Sequence, residues 1–307
     1  MIDFKPFSIE DRMRYDRYLF SCGERGCEYS FVNLYLWGRQ QAAEGNDKLL
    51  FFSQFNRRSV YLFPIGAGDP KAAIDTIIED AATRGIPCRL TGLLQEDCAL
   101  LEQMYPGRFR YHFDRDSFDY VYDINDLADL KGRKFQKKRN HLNRFRQNNP
   151  ETHLEPVTEE NVSLVREFVK KWYETRLAEN PHADYLMEQA AIEKALRHWR
   201  ELSMEGLLLR DGQTTLAFAM GSLLSSDFSL FSSIIILTVS PLSAIIGYLS
   251  GAIEGYITFE ADIFLFALLI YAIARLIDAQ KSKAEKTIEP SITENEQTQE
   301  SLDDDSN

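Results

Sequence analysis

The sequence predicts an α+β fold to about Gly221, followed by an α-helical transmembrane hairpin and an acidic tail. Three observations predict it. Short apolar strands are joined by tight turns instead of being spaced as regular βαβ repeats. Amphipathic helical patterns are mixed among them. After the last β-hairpin the composition changes abruptly, first to an uncharged run and then to polar, acidic residues. With 307 residues, 44% of them hydrophobic, the chain can fill the cores of one large domain or of two ordinary ones.

Taken in order, DRMRYDRYLFSC and EYSFVNLYLWGRQQA carry aromatic and aliphatic residues at helical spacing, with Phe31, Leu34, Tyr35 and Trp37 on a face that packs on a sheet. KLLFFSQFNRRSVYLFPIG reads as two strands about the turn Asn56-Arg57-Arg58. Asp69 and Pro70 open a helix that runs to about Arg84, with Asp69 as N-cap. PCRLTGL reads as a strand, EDCALLEQMY as a helix and FRYHFDRDSFDYVYDI as further strand. A basic helix spans about Lys131 to Gln147. THLEPVTEENVSLVREFVKKWYETRL is a strand, a capped start at Thr158 and a helix, and MEQAAIEKALRHWRELS is a second helix. GLLLRDGQTTLAFAMGS is a hairpin turning at Arg210-Asp211-Gly212.

From Phe228 to Leu249 the chain has 22 residues without a charge, enough for a helix across a bilayer. A second apolar run covers Ile263 to Ile277, with Arg275 near its end. Acids alone occupy the linker between the two runs, and Lys281, Lys283 and Lys286 follow the second. That asymmetry predicts a membrane hairpin over 228–277 with both ends in the cytoplasm. Two buried helices of a soluble fold are the alternative. Residues 281–307 are acidic and nearly devoid of apolar side chains, which predicts disorder.

The net charge of −12 argues against general nucleic-acid affinity, yet residues 281–307 alone hold 3 Lys against 8 Asp/Glu. The acidity therefore belongs largely to the C-terminal part. Cys22, Cys27, Cys88 and Cys98 lack the spacing of a zinc knuckle and read as reduced structural thiols, and the N-terminus has no signal-peptide pattern.

Three stretches carry a resemblance: EYSFVNLYLW at Glu28–Trp37, LADLKGRKFQKKRNHLNRFRQ at Leu127–Gln147, and EGLLLRDGQTTLAFAMGS at Glu205–Ser222. Over residues 1–222 the chain is similar to the phosphatidylglycerol lysyltransferase C-terminal-domain family. The resemblance implies tandem N-acyltransferase-like (GNAT/FemABX-like) units, a first over 1–125 and a second, truncated one over 126–222; the apolar hairpin at 223–280 and the tail at 281–307 do not follow the family. It also implies an acyl- or aminoacyltransferase, with acyl-CoA or aminoacyl-tRNA as donor and an amine or hydroxyl as acceptor. Family members continue past the hairpin with a strand carrying His-Phe-Glu-Lys-Ala and a helix with Gly-Ala-Tyr. Here LLSSDFSLFSSIIILTV follows Ser222, so the donor half of the second unit is expected to be missing or replaced.

The segment 131–146 holds eight Lys/Arg and no acid. On a helix Phe135, Leu142 and Phe145 form a core stripe, and Arg133, Lys137, Asn140 and Arg144 line the opposite face. Like charges at this spacing repel by roughly a few tenths of a kcal/mol per pair, which an anion relieves. The candidate anion-binding residues are Arg133, Lys134, Lys137, Lys138, Asn140 and Arg144. A lipid head group, a CoA phosphate, a tRNA phosphate or an anionic leaflet would each serve. A solvated helix face is the bland alternative. A non-catalytic, membrane-tethered module binding anionic lipid or RNA through this helix is the second function. A fusion or frame-shifted chain is the third reading.

Other constellations are weaker. The Gly66-Ala67-Gly68 loop precedes a helix, but Asp69 already supplies the negative charge there. Tyr29 in the EYSF segment is a candidate proton donor, with a structural role as the alternative. The five His residues show no metal spacing, and neither a serine elbow nor a phosphate-binding loop occurs. No residue can be assigned as a catalytic base.

Overall fold

The computed structural model describes residues 1–19, 25–55, 58–113, 126, 129–179, 181, 185–223 and 231–235. The chain divides into two compact units, one of Met1–Val121, Val157–Gly206 and Ala219–Ile236, the other of Tyr122–Pro156, Leu207–Phe218 and Leu237–Asn307.

The first unit is built on a six-stranded sheet of β1 (Lys5–Pro6), β2 (Gln40–Gly45), β3 (Lys48–Phe55), β4 (Arg58–Leu62), β5 (Ile65–Gly66) and β6 (Leu90–Thr91). The order is β1-β2-β3-β4-β6, with β5 on β3, and every pair is antiparallel except β4 with β6. Helices α1 (Arg12–Leu19), α2 (Phe31–Trp37), α3 (Pro70–Arg84) and α4 (Gln95–Met104) belong to the same unit. Both sheet faces are covered, which explains the unbroken apolar run at Leu49–Phe52. Leu50 and Phe52 pack with Tyr61, Ile74, Ile77 and Leu101. Phe51, on the opposite face, meets Phe7 and Tyr29.

Helix α3 forms as its sequence dictates. Asp69 accepts from the Lys71 and Ala72 amides, Pro70 sits in the first turn, and Gly85 closes the end in the left-handed conformation. Asp80, on its buried face, accepts from the Ile2 amide at 2.6 Å, the Tyr61 hydroxyl at 2.8 Å and Arg84 Nε at 2.6 Å. Burial by itself raises this carboxyl, but these three donors together hold it below the usual aspartate range.

The remaining elements are α5 (Gln136–Asn148), β7 (Thr152–Pro156), α6 (Val162–Glu179), α7 (Leu186–Arg197), β8 (Glu205–Asp211), β9 (Thr214–Leu223) and β10 (Phe231–Ile235). Their strands form a four-stranded sheet ordered β10-β9-β8-β7. The β8–β9 hairpin turns at Gly212, whose φ of 52 is easy only for glycine, as the Asp-Gly signal predicts.

Several expectations are corrected. Residues 109–113 form no strand, and the rest of that predicted strand lies outside the described residues. The PCRLTGL strand shrinks to Leu90–Thr91. The helix expected to start at Thr158 begins at Val162, after a turn in which Asn161 Oδ1 accepts from the Thr158 amide.

The largest correction concerns the uncharged run from Phe228. Residues Phe231–Ile235 are a strand, antiparallel to the end of β9, with Phe231 opposite Leu223 and Ile235 opposite Met220. An edge of β9 is available to pair them, and that settles this stretch as sheet. Among the described residues no helix is long and apolar enough to cross a membrane. The remainder of the expected hairpin over 228–277 and the acidic tail lie outside the described residues.

Candidate functional site

The basic segment folds as a short 3-10 turn, Arg133–Phe135, running directly into α5. Phe135 and Leu142 are buried and Phe145 is half-buried, so the expected core stripe is the inner face. Arg133, Lys137, Asn140 and Arg144 are all exposed, on the side away from that stripe. The structure thus leaves all four outer candidates exposed along the 3-10 turn and α5.

Their surroundings differ from residue to residue. Lys134 pairs with Asp126 at 2.6 Å and Lys131 with Asp129 at 2.6 Å. These two acids lie just upstream of the segment, so its acid-free sequence overstates its free charge. Arg144 Nη2 lies 3.4 Å from His141 Nδ1. Lys138 is half-buried, and that burial lowers its ammonium below the ordinary lysine range with no carboxylate opposing the shift. Arg133, Lys137 and Lys138 have no carboxylate in ion-pair range among the described residues.

Arg139 was not among the candidates, and its role is distinct. Its Nη1 donates to the carbonyl of Leu130 and, at 2.8 Å, to that of Gly132. Leu130 has a φ of 50 and Gly132 a φ of 84. A left-handed leucine costs roughly 1–2 kcal/mol, so the loop that launches the basic turn is held against its local preference. The sequence signal was the glycine one residue before Arg133; the leucine gave none.

The other candidates resolve structurally. Tyr29 is 1% exposed and its hydroxyl lies 3.1 Å from the Phe63 carbonyl and 3.0 Å from that of Gly92, so its proton is held inside the core. Gly92, with φ of 67, passes so close that an added Cβ would lie 2.9 Å from the Tyr29 hydroxyl. Arg25 stacks on the Tyr29 and Phe63 rings and grips Asp97 through two bonds of 2.7 and 2.8 Å. At the glycine loop, a Cβ on Gly68 would overlap the Asn46 carbonyl oxygen at 1.7 Å, so that glycine serves close backbone packing. Cys88 and Cys98 are free thiols. Between α6 and α7 lies a groove of about 330 Å³ floored by Val169, Ile192 and Leu196, with Arg166 and Glu193 paired at its rim at 3.2 Å.

Comparison with known proteins places the chain. Residues 21–230 match the model of the family described as phosphatidylglycerol lysyltransferase, C-terminal. The chain belongs to this family. A conserved protein of unknown function from Bacteroides thetaiotaomicron VPI-5482, solved by crystallography, is 28% identical. It aligns with a TM-score of 0.74 over 90% of this chain and 87% of its own. The C-terminal domain of an Agrobacterium fabrum protein named as a lysylphosphatidylglycerol synthetase is also similar, at 17% identity and a TM-score of 0.44. That alignment covers 69% of this chain and 64% of the other. No curated protein matches the sequence.

The family match runs past Ser222 to residue 230, and β10 follows it. A strand therefore does occupy the place after the β8–β9 hairpin, without the His-Phe-Glu-Lys-Ala sequence. The residues that would carry the next helix lie outside the described residues.

Proposed function

We propose that this chain is an acyltransferase-like protein of the acyl- or aminoacyl-transfer class, and that the outer face of α5 binds the phosphate of its donor or acceptor. The observation that carries the reading is the set Arg133, Lys137, Asn140 and Arg144, all exposed along the 3-10 turn and α5, with half-buried Lys138 beside it. Family membership supports the reaction class.

In such a transfer an amine or hydroxyl attacks the acyl carbon and displaces the donor's thiolate or ribose oxygen, while a general base takes the attacker's proton. The role of α5 is to position. Cationic groups holding a phosphate fix the acyl carbon relative to the acceptor, and they need not touch the proton. Acyl-CoA, aminoacyl-tRNA and an anionic lipid head group present the same phosphate chemistry.

The test is a binding series on the full chain with CoA, tRNA and phosphatidylglycerol vesicles, each repeated with Lys137→Glu plus Arg144→Glu. The reading expects at least one probe to bind and the double reversal to abolish that binding. Unchanged binding of all three probes would overturn it. Transfer from acyl-CoA or aminoacyl-tRNA to an amine or lipid then separates an enzyme from a module that only binds.

A further inference from the structure

We infer that Arg139 is a positioning residue for the basic face: it holds the loop 130–132 in the conformation that lines Arg133 up with Lys137 and Arg144. The inference rests on the anion-binding reading above.

Three observations converge. The loop is bent through two positive-φ residues, Leu130 and Gly132, and only the glycine takes a positive φ readily. The Leu130 side chain is 3% exposed, so the bend is anchored in packing on one side. On the other side a single guanidinium nitrogen, from a residue seven to nine positions further along, donates to both loop carbonyls. The Gly132 carbonyl also accepts from the Phe135 amide at 3.4 Å, which ties the same atom to the first basic turn.

The allocation of charge points the same way. The acids nearest in sequence, Asp126 and Asp129, are bonded to Lys134 and Lys131, not to Arg139. Arg139 therefore faces its own backbone while Arg133, Lys137 and Arg144 face outward. A guanidinium is suited to this because its rigid plane fixes the directions of both N–H bonds of that nitrogen, and a lysine ammonium on a flexible stem is not pre-organised in this way. If the clamp opens, Arg133 leaves the row and the bound anion loses one end of its contact.

The test uses the full chain and inorganic pyrophosphate, titrated calorimetrically against wild type, Arg139→Ala and Arg139→Lys. Both variants should bind about tenfold more weakly, the loss of about one charge-assisted contact. Arg139→Lys keeps the charge and a single hydrogen bond, so it carries the test if the alanine variant fails to fold. Added guanidinium ion should restore Arg139→Ala, and sodium chloride at the same ionic strength should not. Wild-type affinity in Arg139→Lys, or rescue by sodium chloride, would show that charge alone matters and would overturn the inference. If wild type itself does not bind pyrophosphate, and Lys137→Glu with Arg144→Glu behaves identically, the anion-binding reading fails with it. If that reversal abolishes binding while Arg139→Lys retains it, only the positioning role falls.

Discussion

Cations in the first sheet and cations on α5 are used in opposite ways. Around the first sheet, Arg25 and Arg84 are largely buried, each bonded to a buried aspartate and stacked on aromatic rings. On α5 and the turn before it, Arg133, Lys137 and Arg144 are exposed, and Lys138 is half-buried with no acid paired to it among the described residues. Buried, fully bonded charge fixes a single packing, because removing one partner strands the other. Exposed like charge in a row adds nothing to the fold and stays open to a ligand. The difference teaches where stability ends and recognition begins in this chain.

The strongest way to break that comparison is Asp80→Ala. It strands Arg84 and frees the Ile2 amide and Tyr61 hydroxyl, so a loss of about 3–5 kcal/mol is expected in urea unfolding at neutral pH. The loss should shrink in acid. A carboxyl held low in the folded state contributes stability above its unfolded pKa, and that contribution disappears as pH falls through its folded value. A difference that is small, or flat with pH, would remove Asp80 from the set of structural charges.

Next in size is the double reversal Lys137→Glu with Arg144→Glu. It should abolish binding of the anionic probe, a loss of at least about a hundredfold or about 2.7 kcal/mol, while the melting temperature stays near that of wild type. A melt lowered as far as that of Asp80→Ala would mean that these residues hold the fold after all.

Lys138→Met sharpens the contrast within one side chain. Burial disfavours its charge, so the variant should gain only a few tenths of a kcal/mol in stability after solvent screening, and should lose anion affinity. Equal or better affinity would take Lys138 out of the site. The smallest effect is expected from Glu188→Gln. Burial raises the Glu188 carboxyl, against the Tyr173 hydroxyl that lowers it. A raised carboxyl contributes stability below its unfolded pKa and loses it as pH rises through the folded value. The glutamine variant should therefore gain a few tenths of a kcal/mol at neutral pH and nothing in acid, the reverse of Asp80.

Much of this was legible from residues alone, for reasons that are local. Asp69-Pro70 specifies α3 because an N-cap and a fixed proline φ act within one turn. The 3.6-residue period placed Phe135 and Leu142 inward and Lys137 and Arg144 outward without any tertiary information. What failed depended on distant partners. The run at Phe228 has the hydropathy of a membrane span, yet Phe231–Ile235 pairs with β9, and hydropathy does not report an available sheet edge. The clamp by Arg139 was hidden because a left-handed leucine leaves no mark in composition. Tyr29 looked like a proton donor until its hydroxyl was found against two carbonyls.

The single parallel pair in the first sheet sets an order of assembly. Strands β2, β3 and β4 follow one another through tight connections and can zip as neighbours along the chain. Strand β6 cannot. Leu90 and Thr91 reach Tyr61 and Leu62 only after the chain has passed through α3 and come back alongside. Its loop must close before any of its bonds reward the closure, so β6 joins the sheet late. With only two residues paired, as in β1 and β5, its amides should exchange with solvent before those of β3 when the native state breathes.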